Sequence, residues 1–362
     1  MARLPADRTK LNAAVQNQQP SIVADAIANR EALIEAYDTI DMLYNFTAGL
    51  VAGGTLQPYP HGLYRNAIIN GNFDVWQRGT IFGSGVYTAD RWLGLYFGSN
   101  TQYSRETITD LPGSQYAIKV QNISGQSNFV GSIVQRIESV NAALLYEKTV
   151  TLSFKVKCTE NKTFSVMVRS PSAKDNFSTT NTRHAKSDCQ AIANTWSTVV
   201  FTFPLTDPEF KNGIEISIGD QNVDQEIAVG GYYLFAQVQL NVGDIPLPFQ
   251  PRSFAEELAL CQRYYQRGLQ YRSVGTFYAP SAASIIVPHI VPMRIAPTLG
   301  KIPGTSIMLD DIGVGELTTS NSPFNIIASE NASKFDIDGF TGANPYRFAR
   351  LLNDSIYLDA EL

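Results

Sequence analysis

Residues 66–92 read NAIINGNFDVWQRGTIFGSGVYTADRW, and what this stretch becomes decides the fold. Apolar Ile69, Phe73 and Val75 are spaced by Asn70, Gly71, Asn72 and Asp74, a pattern that predicts a strand. Breaks come at Arg78-Gly79 and Gly83-Ser84-Gly85, and a second strand is expected from Tyr87 through Trp92 to Phe97. Two of the three tryptophans, Trp76 and Trp92, fall in this window. A strand, a flexible crossing and large aromatics to close a core are how a sandwich domain opens.

Downstream, short alternating runs continue to about Pro251: Ala117–Val120, Gly131–Ile137, Thr149–Lys157, Thr163–Val168, Ser197–Phe203, Ile214–Ile218 and Tyr232–Leu240. In VTLSFKVK, Val150, Leu152, Phe154 and Val156 share one face while Thr151, Ser153, Lys155 and Lys157 share the other. That is the period of a half-solvated antiparallel strand. The polar segment Ser170–Asn194 is expected to be a loop over one rim. A capping box, Ser253 to Glu256, then starts a linking helix with a stripe of Phe254, Leu258, Cys261 and Tyr265, which Gly268 is placed to end. About 95 further residues form a last β-rich unit.

Upstream, one helix is predicted from Ile22 to about Phe46. Its seam, Ile22, Ala26, Asn29, Leu33, Ala36, Ile40 and Leu43, steps alternately by four and three. A seam so narrow is buried by other helices, and a polar Asn29 within it fixes register. Several identical chains wound into a short stalk satisfy it; the alternative is an amphipathic helix packed on its own chain. Gly49, Gly53, Gly54, Pro58 and Pro60 detach it from the β region. The resulting fold class is mainly β: an N-terminal helical, coiled-coil-like stalk (1–60), an antiparallel jelly-roll sandwich (61–251), a linking helix (252–269) and a C-terminal β-sandwich head (270–362).

Charged residues make up 17% of the 362, against about 25% in an average soluble protein, and the net charge is −5. Such a surface does not neutralise phosphates, so no nucleic-acid partner is expected. No run approaches ~18 apolar residues, so no membrane insertion is expected. The opening MARLPADRTK has no apolar stretch behind it; a secretory signal is not expected, and synthesis in a cytosol is. Cys158, Cys189 and Cys261 are far apart and lack CxxC spacing, which predicts isolated buried thiols.

The segments NGNFDVWQRG (70–79) and YTADRW (87–92) resemble the start of the carbohydrate-binding-module-like jelly roll of bacteriophage tail-fibre and related virion proteins. YYLFAQVQLNVGDIPLPFQPRSFAEELALCQRYYQRG (232–268) is similar to the last strand and exit of that domain, and PMRIAPTL (292–299) and DAEL (359–362) to the C-terminal β domain of the same proteins. The resemblance covers roughly residues 62–362 and implies a virion location, a homotrimer, docking of the N-terminus on a baseplate, tail, neck or capsid protein, and attachment to host-surface glycans.

No catalytic residues are expected: His61, His184 and His289 show no ligand spacing, and no nucleophile elbow or phosphate loop is present. No carboxylate pair, such as Asp74 with Asp90 or Glu106, stands out for glycoside hydrolysis. No cofactor is expected. A structural calcium is the one ion with candidate ligands, either Asn70, Asn72 and Asp74 or Asp220, Asn222 and Asp224; the plainer reading is turn and strand-face polar residues. Sugar binding calls for aromatic faces with amides, carboxylates or guanidinium groups beside them, and the candidates are Trp92, Tyr96, Tyr103, Tyr278 and Tyr346. Trp76 and Trp196 are expected in the core. The function expected is that of a phage fibre protein binding host glycans through trimeric β domains; the alternatives are a neck, collar or capsid fibre without a receptor role, and a polysaccharide depolymerase or its sugar-binding part.

Overall fold

The computed structural model describes residues 62–95, 101–123, 131–220, 227–311 and 314–362, all within the unit that runs from His61 to Leu362. The predicted stalk and its seam, from Ile22 to Leu43, lie outside the described residues, as does Tyr96. Twelve strands come first: β1 (Ile81–Phe82), β2 (Val86–Tyr87), β3 (Leu93–Leu95), β4 (Thr101–Thr107), β5 (Tyr116–Asn122), β6 (Ser132–Glu138), β7 (Thr149–Cys158), β8 (Lys162–Ala173), β9 (Asn176–Ala191), β10 (Ser197–Pro204), β11 (Gly213–Asp220) and β12 (Tyr232–Val242). A short helix, α1 (Ser139–Leu145), comes directly after β6.

These strands make two six-stranded antiparallel sheets, ordered β1-β4-β5-β12-β7-β10 and β2-β3-β6-β11-β8-β9. The inward halves of the alternating runs meet between them: Ile118, Val120, Leu152, Phe154, Val156, Phe164, Val166, Ile216 and Phe235 are all buried. This is the jelly-roll type of sandwich that the alternation predicts. A smaller apolar cluster lies on the outer face of the first sheet, where the 108–115 loop brings Ile108 and Leu111 down on Ala117, Leu234 and Ala236.

Helix α2 (Phe254–Gln262) opens with the expected capping box, Ser253 and Glu256 bonding reciprocally. The second β module is built from β13 (Tyr265–Gln266), β14 (Val274–Ala279), β15 (Ala282–Pro288), β16 (Thr298–Lys301), β17 (Ile307–Asp311), β18 (Gly315–Thr319), β19 (Phe324–Ala328), β20 (Ala332–Asp338), β21 (Phe348–Leu351) and β22 (Ile356–Asp359). A three-stranded sheet, β13-β22-β16, packs on a seven-stranded one, β18-β17-β21-β14-β15-β20-β19, around Phe277, Ile285, Leu309, Phe335, Ile337 and Leu358.

Four expectations need correction. Asn66–Thr80 contains no strand, because Asn70 and Phe73 take left-handed backbone conformations (φ 57° and 56°) and the Gln135 amide, not a neighbouring strand, bonds the N–H and C=O of Ile69. The run from Tyr87 is a hairpin rather than one strand: Val86 and Tyr87 pair with Gly94 and Leu93 across a turn in which Arg91 has φ 72°. Ser170–Asn194 is the end of β8 and all of β9, a long edge strand. Paired on one side only, β9 tolerates polar side chains on both faces and needs few anchors, Phe177, Cys189 and Ala191. The linking helix stops at Gln262, since Tyr265 pairs with Asp359 in extended conformation and Gly268 falls beyond β13.

Candidate functional site

Asn70 organises the segment that carries the site. Its buried amide donates to the carbonyls of Val75 (2.8 Å) and Asp90 (3.0 Å), and its side-chain oxygen accepts from the Val75 N–H (3.0 Å). Its own carbonyl accepts from the Trp92 indole (2.9 Å), and its N–H donates to Glu257 on α2 (2.6 Å). Gly71 lies against the bulge of β12: a Cβ there would sit 2.0 Å from the Val238 oxygen. The chain is thereby pinned so that Asp74, Trp76 and Gln77 are offered at one end of the sandwich.

There they line an open cleft of about 500 Å³ together with Val75, Arg105, Gln115, Tyr116, Phe254 and Leu258. Arg105 and Tyr116 share the inward parity of Tyr103 and Ile118, but stand where the core has ended, so they face the cleft. The Arg105 guanidinium stacks on the Tyr116 ring at 4.5 Å. Trp76 stacks on Phe82 with centroids 6.4 Å apart and donates its indole N–H to the Phe73 carbonyl (2.6 Å). Phe254, 60% exposed, forms the α2 wall. Burial lifts the Asp74 carboxyl above its ordinary value; the Asn72 amide, donating at 3.2 Å, pulls the other way, and the charge of Glu257 adds to the lift. Aromatic faces, a carboxylate, amides and a guanidinium thus converge on one concavity.

Behind the cleft, the motifs that carry the resemblance close on one another. Arg78 reaches Glu361 (3.2 Å), Asp359 (3.5 Å) and Asp90 (3.6 Å) while lying 3.6 Å over the Tyr265 ring. Arg91 pairs with Glu361, lies 3.5 Å over Tyr264 and donates to the Arg136 carbonyl (2.6 Å). The main-chain oxygen of Leu362 accepts from Arg136 (2.6 Å) and from the Tyr87 hydroxyl (2.9 Å), and Arg294 donates to the carbonyls of Ala360 and Glu361. Burial, with Glu361 adding, pushes the Tyr87 hydroxyl up to about 12, and burial does the same to Tyr265. Burial works most strongly to discharge Arg91, but Glu361 together with Tyr264, Tyr87 and Cys261 outweighs it and holds the guanidinium above its usual range. These groups clamp the second β module to the sandwich.

The predicted sugar-binding residues are scattered. Trp92 and Tyr103 are both 0% exposed, with the Trp92 indole on Asn70 and the Tyr103 hydroxyl donating to the Leu95 carbonyl (2.7 Å); both are core, which corrects their assignment as sugar platforms. Tyr278 and Tyr346 are exposed on the second module and outside the cleft-lining set, with the Tyr346 N–H donating to the Phe277 carbonyl (2.6 Å). Trp76 and Trp196, expected in the core, are only partly buried. Of the calcium candidates, Asn72 and Asp74 meet, but Asn70 turns inward with its oxygen already engaged, so the three do not form one ligand set; the Asp220 side chain, Asn222 and Asp224 lie outside the described residues. Among the described residues no group of three or more His, Cys, Asp or Glu side chains is gathered as for a metal ion. Of the three carboxylates considered for hydrolysis, Asp74 alone lines the cleft; Asp90 is held by Gln77 and Arg78, and Glu106 by Lys119. All three cysteines are free and buried, and no described helix is long and apolar enough to cross a membrane.

No protein-family model matches the chain, and no curated protein sequence matches it. Solved structures resemble it at low identity. One, described as a candidate sugar-binding protein of Bacteroides thetaiotaomicron VPI-5482, is 17% identical over 49% of this chain and 100% of its own, with a TM-score of 0.37. A family 4 carbohydrate-binding module is 18% identical over 48% and 98%, with a TM-score of 0.33. The enzymatically active domain of tailspike protein 4 of bacteriophage CBA120 is 11% identical over 50% of this chain and 22% of its own, with a TM-score of 0.32. None of these figures bears on the cleft, whose chemistry is that of this chain's own side chains.

Proposed function

We propose that this chain is a structural fibre protein of a bacteriophage virion that binds glycans of the host surface, and that the end cleft is its sugar site. The cleft carries the binding half of this reading: Trp76, Tyr116 and Phe254 supply apolar faces for a pyranose ring, and Asp74, Gln115 and Arg105 supply hydrogen bonds for its hydroxyls. The fibre half rests on the resemblance. Its motifs, more than 200 residues apart in sequence, are mutual partners in the clamp of Arg78, Arg91 and Glu361, as expected of one inherited module rather than chance matches. The role is binding without turnover, since a depolymerase working by the usual pair needs a second carboxylate across from Asp74 and the lining offers Arg105 and glutamines. Trimerisation through the 22–43 seam would multiply a weak single-site affinity.

The test is direct binding of the full chain to host lipopolysaccharide and capsular polysaccharide, with Phe254→Ala and Gln115→Ala as variants at exposed positions that should fold normally. Both should weaken binding, and gold-labelled antibody should mark a fibre on intact particles. Unchanged binding by both variants would move the site elsewhere, and release of new reducing ends would replace the binding role with hydrolysis.

A further inference from the structure

Arg105 is the cleft's odd member. Its guanidinium carbon lies over the Tyr116 ring, 4.5 Å from the centroid, and among the described residues none of the guanidinium N–H groups meets a carboxylate or carbonyl. Arg78, Arg91, Arg136 and Arg294, by contrast, are all committed to acids or carbonyl oxygens. Stacking uses the face of a guanidinium and leaves its in-plane fork of donors free, the edge that matches a carboxylate in a two-point contact. Asp74, the cleft's acid, forms no ion pair with Arg105; its oxygens, raised in pKa by burial, remain acceptors for hydroxyl groups. The cleft is therefore polarised, with a donor fork on the β4–β5 side, an acceptor on the 73–77 segment and aromatic surface between them.

Resting on the sugar-site reading, we infer that the cleft selects a carboxylate-bearing sugar: a uronic acid whose acid group is held edge-on by Arg105 while its ring hydroxyls face Asp74 and Gln115. A single negative charge suits the site. A phosphate would also fit the fork, but with nearly two charges it is repelled more strongly by Asp74. The volume, about 500 Å³, lies in the ~300–1,000 Å³ range of small-ligand clefts.

The experiment titrates the full chain, by calorimetry or ligand-observed NMR, with methyl glucuronide, methyl galacturonide, the two matching neutral glycosides and glucose 6-phosphate. A uronide should bind about ten- to a hundred-fold more tightly than its neutral counterpart, the scale of a charged hydrogen bond. Arg105→Gln, at an exposed strand position, should remove that preference by weakening the uronide far more than the neutral glycoside, so that the two bind alike. Equal binding of acid and neutral sugars, tighter binding of the phosphate, or a preference that survives Arg105→Gln would overturn the inference and leave the sugar site standing. No binding of any sugar would overturn both.

Discussion

Replacing Glu361 with glutamine should loosen the second β module from the sandwich without unfolding either core. The side chains of Arg91 and Glu361 are 1% and 5% exposed, so the substitution leaves a buried guanidinium facing a neutral amide. Breaking a buried pair by removing one partner costs about 3–5 kcal/mol, and the low end applies because Arg91 keeps the Arg136 carbonyl and Arg78 keeps Asp90. With a urea m-value of about 1–3 kcal/mol/M, ~3 kcal/mol moves a midpoint by roughly 1–3 M. All three tryptophans, Trp76, Trp92 and Trp196, lie in the sandwich, so their fluorescence follows that module while far-UV circular dichroism follows both. The two probes should coincide in the unaltered protein and separate in Glu361→Gln, with dichroism falling first. Arg91→Met combined with Glu361→Leu should recover much of the loss, because the bare charge is then gone. A midpoint displaced by less than about 0.5 M, with the two probes still superimposed, would refute the clamp as the source of docking.

Gly71→Ala should cost more than about 3 kcal/mol or prevent folding, since its Cβ would lie 2.0 Å from the Val238 oxygen; thermal melts of soluble material check this. High pH should weaken the fold through Tyr87 and Tyr265. Their folded values, about 12, lie above the ordinary 10, so their contribution is intact below pH 10 and drains between pH 10 and 12. At pH 11 the loss is about 1 kcal/mol per tyrosine, and urea midpoints at pH 9 and 11 that agree would contradict it. Sugar binding should fade as acid protonates Asp74, with a midpoint above the usual carboxylate value of 3.8; calorimetry in a pH series measures it, and Asp74→Asn should flatten the profile.

The body of the sandwich was legible because its strands are half-solvated: the Val150–Val156 alternation is written in the residues themselves, and β5–β8 and β10–β12 arise where it predicts them. The 66–80 segment was not, because side chains satisfy the backbone of Ile69 and Val75, and its bonds to β12 and β4 come singly, at Ala67, Gly71 and Thr80, rather than as a ladder. Asn70 and Gln135 supply bonds that no periodicity announces. β9 misled for the opposite reason, as an edge strand with few buried positions reads like a loop. At the site, aromatic identity pointed to Trp92 and Tyr103, which the core claimed. Arg105 was detectable through its parity with Tyr103, which places it on the inner face, but where the core ends is a tertiary fact. Of the predicted stripe, Cys261 and Tyr265 are buried, but Phe254 is exposed, and Glu257 and Gln262 pack inward beside Cys261.

The clamp of Arg78, Arg91 and Glu361 is dry, and that has a consequence for the settings in which the protein works. Dissolved ions weaken attraction between charges that water can reach, but have little purchase on partners sealed from it. In dilute buffer or in brine the two cores should therefore keep the same heading, and a tug on either one should travel into the other as along a stiff lever.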